Sequence, residues 1–314
     1  MQSSGVPRRR RPLLWSLWFL WSALACAVVI AGAAAGVAHV RVPAPRAVSS
    51  PTGSGTGSVA TDGEAAVEPV VEPAEDQDAL LAEALEALSV PDGVRLSVAV
   101  LDLASGDRAV HGAGSYDTAS IVKVDILAAL LLRAQDEGRS LTAAEKTYAA
   151  AMIEHSDNAS ASALWESIGR APGLDAANER FGMTGTQGGD GALWGLTQTT
   201  ASDQLVLLRQ VFGSGSELSE ESRTYVQGLM GQVVAGQDWG VSAAADGAGC
   251  ALKNGWLPRT ATGRWDVNSV GRVALDGRAY LVAVLSDGNA TMDDGVALVE
   301  GAAVAAVGVL AESA

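Results

Sequence analysis

The chain has 314 residues, 48% of them hydrophobic and 18% charged, which supplies a buried core and argues against a wholly disordered chain. Its formal net charge of −15 is uneven: the first 46 residues carry six arginines and no acid, and the remainder holds 15 basic against 36 acidic residues. A surface that acidic repels phosphates and argues against nucleic acid as a partner.

In chain order, Arg8 to Arg11 precede an uncharged apolar run from Leu13 to Ala38. As a helix this run would span roughly 39 Å at ~1.5 Å per residue, more than the ~30 Å hydrocarbon core of a bilayer. Trp15, Trp18 and Trp21 sit near its start, where interfacial aromatics anchor a span. Residues 1–40 therefore predict a basic cytoplasmic tail and a transmembrane anchor that sends the rest of the chain outward. A cleaved signal peptide is the alternative, with Ala33-Ala34-Ala35 as small-residue cleavage positions, and Cys26 after Ala23-Leu24-Ala25 faintly resembles a lipoprotein signal. Residues 41–77, rich in Pro, Gly, Ser and Thr and then in acids, predict a disordered linker that cannot bury enough apolar surface to order itself.

Residues 78–314 predict the folded domain. Asp78 to Leu88 reads as a short helix, and Arg95 to Leu103 and Arg108 to Gly114 as a strand pair turned at Ser105-Gly106-Asp107. Helices follow at Ile121–Gln135, after the capping box Thr142-Ala143-Ala144-Glu145, and at Ala159–Ile168, Leu174–Phe181, Thr200–Phe212 and Glu220–Val234. Strands return at Gly249–Trp256, Trp265–Leu275 and Arg278–Leu285, the last two joined by Asp276-Gly277, before a final helix from Asp293 to Leu310. Strands at both ends and helices between predict an α+β fold: one antiparallel sheet built from both chain ends, with an inserted all-α subdomain. Cys26 and Cys250 are too far apart to suggest an intrachain disulfide, and His39, His111 and His155 form no Cys/His cluster, so neither metal nor cofactor is expected. Nothing in the sequence sets an oligomeric state.

Lysine is the informative residue. Only Lys123, Lys146 and Lys253 occur in a chain that otherwise uses arginine. Arginine cannot release its proton, whereas a buried lysine can shift into the range of a working base. Ser120-Ile121-Val122-Lys123 puts serine and lysine on one helix face, with Ser120 at the helix N-terminus, where the dipole favours negative charge. Alone it also reads as a helix start with a surface lysine. Ser156-Asp157-Asn158 falls between two helices and alone reads better as a helix cap. Lys253-Asn254-Gly255 lies on a predicted strand and alone could be an edge lysine before a turn.

Together, in this order and on these elements, the tetrad and the two tripeptides resemble the serine penicillin-recognising enzymes, the class A β-lactamases and penicillin-binding proteins, with motifs S-x-x-K, S-D-N and K-T-G. Thr199-Thr200 before a helix and Ala283-Val284-Leu285-Ser286 on the last strand extend the resemblance over the whole domain. It implies Ser120 as the acylated nucleophile, Lys123 as its general base and Ser156 as a proton relay to the leaving nitrogen. It implies that Asn158 holds the substrate amide, that Lys253 supplies charge near the substrate carboxylate, and that the backbone amides of Ser120 and Trp256 form the oxyanion hole. The implied partner is a small β-lactam or a D-alanyl-type peptidoglycan peptide.

Two departures stand out. The glutamate that activates the deacylating water in class A β-lactamases has no counterpart between Met183 and Thr200, where Asp190, among glycines, is the only carboxylate and reads as part of a turn. Glu154, Glu166 and Glu179 fall on predicted helices outside that loop. Asn254 stands where the family has a hydroxyl that contacts the substrate carboxylate. The expectation is an extracytoplasmic serine hydrolase that acylates readily and deacylates slowly; the alternative is a membrane-tethered module that binds or senses cell-wall fragments or β-lactams.

Overall fold

The computed structural model of the chain describes residues 76–313 apart from 248. The basic tail, the apolar run, Cys26 and nearly all of the linker lie outside the described residues. In chain order the domain runs α1 (Gln77–Glu86), β1 (Arg95–Asp102), β2 (Arg108–His111), β3 (Tyr116–Asp117), α2 (Val122–Asp136), α3 (Ala143–Glu154), α4 (Asn158–Ile168) and α5 (Arg170–Phe181). It continues with β4 (Gln198–Thr199), α6 (Ala201–Phe212), α7 (Glu220–Met230), β5 (Ala251–Arg259), β6 (Arg264–Leu275), β7 (Arg278–Asn289) and α8 (Met292–Glu312).

The five-stranded sheet has the order β2-β1-β7-β6-β5, antiparallel throughout, so strands from the two chain ends meet where β1 pairs with β7. The α+β architecture expected from the sequence is the one observed. Both faces of the central strands are covered. Ala99, Leu101, Leu281, Ala283 and Leu285 join the core shared with the helical insertion, and Val98, Val100, Tyr280, Val282 and Val284 join the core under α1 and α8. A strand buried on both faces reads as a continuous apolar run, and β7 does. α8 is long and apolar enough by composition to cross a membrane, but Val299, Ala302, Ala303, Ala306, Val307 and Leu310 bury against the sheet.

Boundaries moved where capping or pairing outweighed the apolar pattern. Helix α5 begins at Arg170, four residues before the expected start, because Pro172 falls in the first turn, where its missing N–H has no helical partner to lose. Helix α7 stops at Met230 rather than Val234, with Gly231 at its end. Strand β5 runs through Pro258 to Arg259, which an edge strand tolerates. The capping box at Thr142 is present, with Glu145 N donating to Thr142 Oγ1 and Thr142 N to Glu145 Oε2.

Helix α2 is buried almost all round, from Val122 to Leu132, because it threads the middle of the helical insertion. One carboxyl goes down with it. Asp125 is buried, accepts from Asn178 Nδ2 of α5 at 3.0 Å, and leaves its Oδ1 and the Asn178 Oδ1 without partners among the described residues. Burial pushes the Asp125 carboxyl up to about 7, with Asp175 and Asp203 adding repulsion against the Asn178 hydrogen bond. Between the ordinary carboxylate value of about 4 and about 7, the unfolded chain releases this proton while the folded chain keeps it, so stability falls as pH rises across that window. Asp125→Asn carries no such proton and presents an amide like the neutral acid. Its melting temperature relative to the parent is expected to be higher at pH 8 than at pH 5, and an equal difference at both would show that Asp125 does not titrate there.

Candidate active site

Three segments converge on Lys123. A short 3-10 turn, Ala119–Ile121, feeds directly into α2 and carries Ser120 at its centre. The i,i+3 spacing puts the Lys123 ammonium nitrogen 2.9 Å from Ser120 Oγ. The break between α3 and α4 brings Ser156 and Asn158 against the same nitrogen: Nζ lies 2.7 Å from the Ser156 carbonyl, 3.0 Å from Ser156 Oγ and 2.8 Å from Asn158 Oδ1. Asp157 between them caps α4, accepting from Ser160 N at 2.7 Å. Within this tripeptide Asp157 is thus the helix cap, while Ser156 and Asn158 on either side of it face Lys123.

Backbone strain marks the same places. Ala119, just before Ser120, has φ 48° and Ser156 has φ 55°, left-handed conformations that cost non-glycine residues on the order of 1–3 kcal/mol each. The turn is held from both sides. Asn268 of β6 donates to the carbonyls of Asp117 and Thr118 at 2.9 and 3.2 Å, and Thr118 N donates to Thr197 O at 2.9 Å.

Strand β5, one of the two edges of the sheet, closes the site. Gly255 passes so near the turn that a Cβ there would stand 2.7 Å from Ser120 N and Thr118 O. Two residues before it, Lys253 is fully buried, with Nζ donating to the Asn254 carbonyl at 2.9 Å. Asn254, one residue on, points to the opposite face. Both hydrogens of its amide go to the backbone carbonyls of Gln237 and Trp239, at 3.0 and 2.7 Å, so in this arrangement it has none left for a substrate carboxylate. Trp256, on the same face of β5, packs its ring against Trp239, with centroids 5.9 Å apart.

The electrostatics favour a neutral Lys123. Burial, with repulsion from Lys253 added, lowers its ammonium to about 6 against a smaller opposing pull from Asp157. Burial alone lowers Lys253 to about 7. The Ser156 carbonyl and Asn158 Oδ1 can only accept, so a neutral Lys123 donates its two hydrogens to them and keeps its lone pair for a hydroxyl hydrogen. That is the posture of a base beside a serine.

Residues 145–310 match the family model described as the beta-lactamase enzyme family. The chain belongs to that family. The matched span contains Ser156, Asn158 and Lys253 and begins after Ser120 and Lys123. No curated protein matches the sequence. Among solved structures, the TLA-1 extended-spectrum β-lactamase is similar at 16% identity and a TM-score of 0.67, over 75% of this chain and 99% of that one. PBP-A is similar at 20% identity and 0.64, over 74% and 96%, and a PBP-A variant solved as an acyl-enzyme complex with penicillin G aligns at 20% and 0.62, over 74% and 97%. The fold is that of the β-lactamase and penicillin-binding serine hydrolases.

The loop between α5 and α6 is where this chain departs from class A β-lactamase sequence. It is pinned by Gly189 N donating to Thr197 Oγ1, Trp165 Nε1 donating to Gly191 O, and mutual backbone bonds between Gln187 and Gln198. Asp190 is exposed, and its carbonyl accepts from Leu193 N in a turn. Glu154, Glu166 and Glu179 lie on α3, α4 and α5. What the loop brings to the site is Trp194, whose ring centroid is 4.9 Å from Lys123 Nζ and whose Nε1 donates to Ser162 Oγ at 3.1 Å. Sequence reasoning missed Trp194 and Asn268; a large aromatic in a glycine-rich loop and an asparagine inside an apolar strand were the signals available. A cavity of about 620 Å³ between the ends of α2, α3 and α7 lies elsewhere and is lined in part by Arg139, Lys146 and Tyr225.

Proposed function

We propose that this chain is a serine hydrolase acylated at Ser120 by β-lactams or D-alanyl-type peptides, with a slowly hydrolysed acyl-enzyme. The single observation that carries the reading is the Lys123 nitrogen, desolvated and 2.9 Å from Ser120 Oγ. In this reading Lys123 takes the Ser120 proton as Oγ attacks the carbonyl carbon, and Ser156, 3.0 Å from the same nitrogen, passes a proton to the leaving amine as the C–N bond breaks. The backbone amides of Ser120 and Trp256 receive the oxyanion, Asn158 contacts the substrate amide, and Lys253 supplies positive charge. The second reading, a module that binds or senses rather than turns over, draws on the same absence of a loop glutamate.

Mass spectrometry of the full-length chain after exposure to penicillin G tests the reading. A stable increment on Ser120 is expected, lost in Ser120→Ala, and hydrolysis of a chromogenic cephalosporin should show a burst of about one equivalent and then a slow steady state. Asp190→Asn should leave that slow rate unchanged. Sustained turnover near ~10 s⁻¹, a common enzyme median, would overturn slow deacylation.

Extracytoplasmic placement rests on Arg8 to Arg11 ahead of the apolar run from Leu13 to Ala38. External protease should degrade the domain on cells whose cytoplasmic membrane is intact, and full protection would place it inside.

A further inference from the structure

We propose that Trp194 is the positioning residue that seals the Lys123 side of the site against water and so prolongs the ester on Ser120. This rests on the reading of Ser120 as the acylated nucleophile.

The argument is one of occupied space around a single nitrogen. Lys123 Nζ meets Ser120 Oγ, the Ser156 carbonyl and hydroxyl, and Asn158 Oδ1, all between 2.7 and 3.0 Å. The indole of Trp194 covers the group further, with its ring centroid 4.9 Å away, and Lys123 is left with no exposed surface. The ring is held there by one side-chain bond, and the residue's backbone is tied to the nucleophile turn through Thr197. Its Nε1 donates to Ser162 Oγ of α4 at 3.1 Å, its carbonyl accepts from Thr197 N at 3.1 Å, and Thr197 in turn accepts the N–H of Thr118 beside the nucleophile. The 3-10 turn Trp194–Leu196 is therefore tied by backbone hydrogen bonds to the turn that carries Ser120.

Hydrolysis of an acyl-Ser120 ester needs a water whose oxygen attacks the ester carbon while a base takes its proton. The C–Oγ bond then breaks and Oγ is reprotonated, which restores the base. An indole accepts no such proton, and its apolar ring leaves no polar partner to orient the water. The missing glutamate is thus half of the device, and a bulky apolar cover on the general base is the other half. The same ring attracts a cation on Lys123, but burial is the larger influence on that ammonium, so opening the cover should raise it.

Full-length parent chain, Trp194→Phe, Trp194→Ala and Trp194→Glu are each exposed to penicillin G, freed of excess, and followed by mass for loss of the Ser120 adduct. Labelling of Ser120 in each variant also reports an intact site. Trp194→Phe should keep the parent lifetime and Trp194→Ala should shorten it. Trp194→Glu, which adds a base, should shorten it most, on the order of 10²-fold or more. In Trp194→Ala the acid limb of the acylation profile should move to higher pH, a shift that a merely structural role would not produce. Equal adduct lifetimes in the parent, alanine and glutamate proteins overturn this proposal alone. Absence of a Ser120 adduct in the parent overturns the nucleophile assignment, and this proposal with it.

Discussion

Replacing Lys123 by arginine is expected to abolish acylation of Ser120 nearly as completely as replacing it by alanine. The conservative change keeps the charge and much of the length, and it is the charge that is wrong. A guanidinium stays protonated at any pH the protein survives, so it cannot take the Ser120 proton. Positioned proton transfer contributes typically ~10²–10⁴-fold, and both variants should lose a factor of that order in the rate of penicillin labelling. Five N–H donors would also replace the two that the Ser156 carbonyl and Asn158 Oδ1 receive, in a space with no exposed surface to spare. The pH profile supplies the sign. The base works as the neutral amine, so labelling should rise with pH through about 6, where burial has brought Lys123. Lys253 supplies charge only below about 7, so labelling by an anionic penicillin should fall as pH rises through that value. A narrow bell between the two is the expected profile. Near-normal labelling by Lys123→Arg would remove Lys123 from the role of base.

Local spacing made the Ser120–Lys123 pair legible, because residues three apart on a helix must share a face whatever the rest of the chain does. The tripeptide at Ser156 was legible only in part. Its capping half, Asp157, follows from local chemistry, but the turn of Ser156 and Asn158 toward Lys123 depends on how α3 and α4 pack. Strand β5 shows the limit most clearly. Period 2 sends Lys253 and Asn254 to opposite faces, and what Asn254 meets there, the carbonyls of Gln237 and Trp239, comes from a loop with no regular pattern. The same holds for Trp194, which reaches Lys123 through tertiary bonds from Trp165, Thr197 and Ser162 rather than through any repeat. For the fold, the apolar runs located every long element, and the errors fell at element ends, among them those at Pro172 and Gly231 and the ends of β2, β5 and β7. Among the described residues the pair β3–β4 escaped notice because two residues carry no periodicity.

Gly255→Ala is expected to cost acylation on the order of 10²-fold while the domain still folds. A Cβ on residue 255 stands 2.7 Å from Ser120 N, 2.7 Å from Thr118 O and 2.9 Å from Ile121 N, and all three are backbone atoms with no rotamer to change. The turn cannot retreat freely, since Asn268 holds the carbonyls of Asp117 and Thr118 and Thr197 holds Thr118 N. The strand is held too, by its pairing with β6 from Ala251 to Arg259 and by the Asn254 amide on its other face. Relief therefore widens the gap between Ser120 N and the neighbouring Trp256 amide, the two donors assigned to the oxyanion. A displacement of about 1 Å in a reacting geometry costs roughly 10²-fold, and loss of one oxyanion donor costs about 10²–10³-fold. Gly228→Ala is the control: its Cβ meets nothing within 4 Å in the last turn of α7, and alanine there should stabilise the helix by at most roughly 0.5–1 kcal/mol without touching the site. Penicillin labelling rates and melting temperatures of the two variants, measured side by side, decide the matter. Parent-like labelling by Gly255→Ala would mean that the approach of β5 to Ser120 does not set the oxyanion site, whereas slow labelling with cooperative melting retained is the outcome the geometry requires.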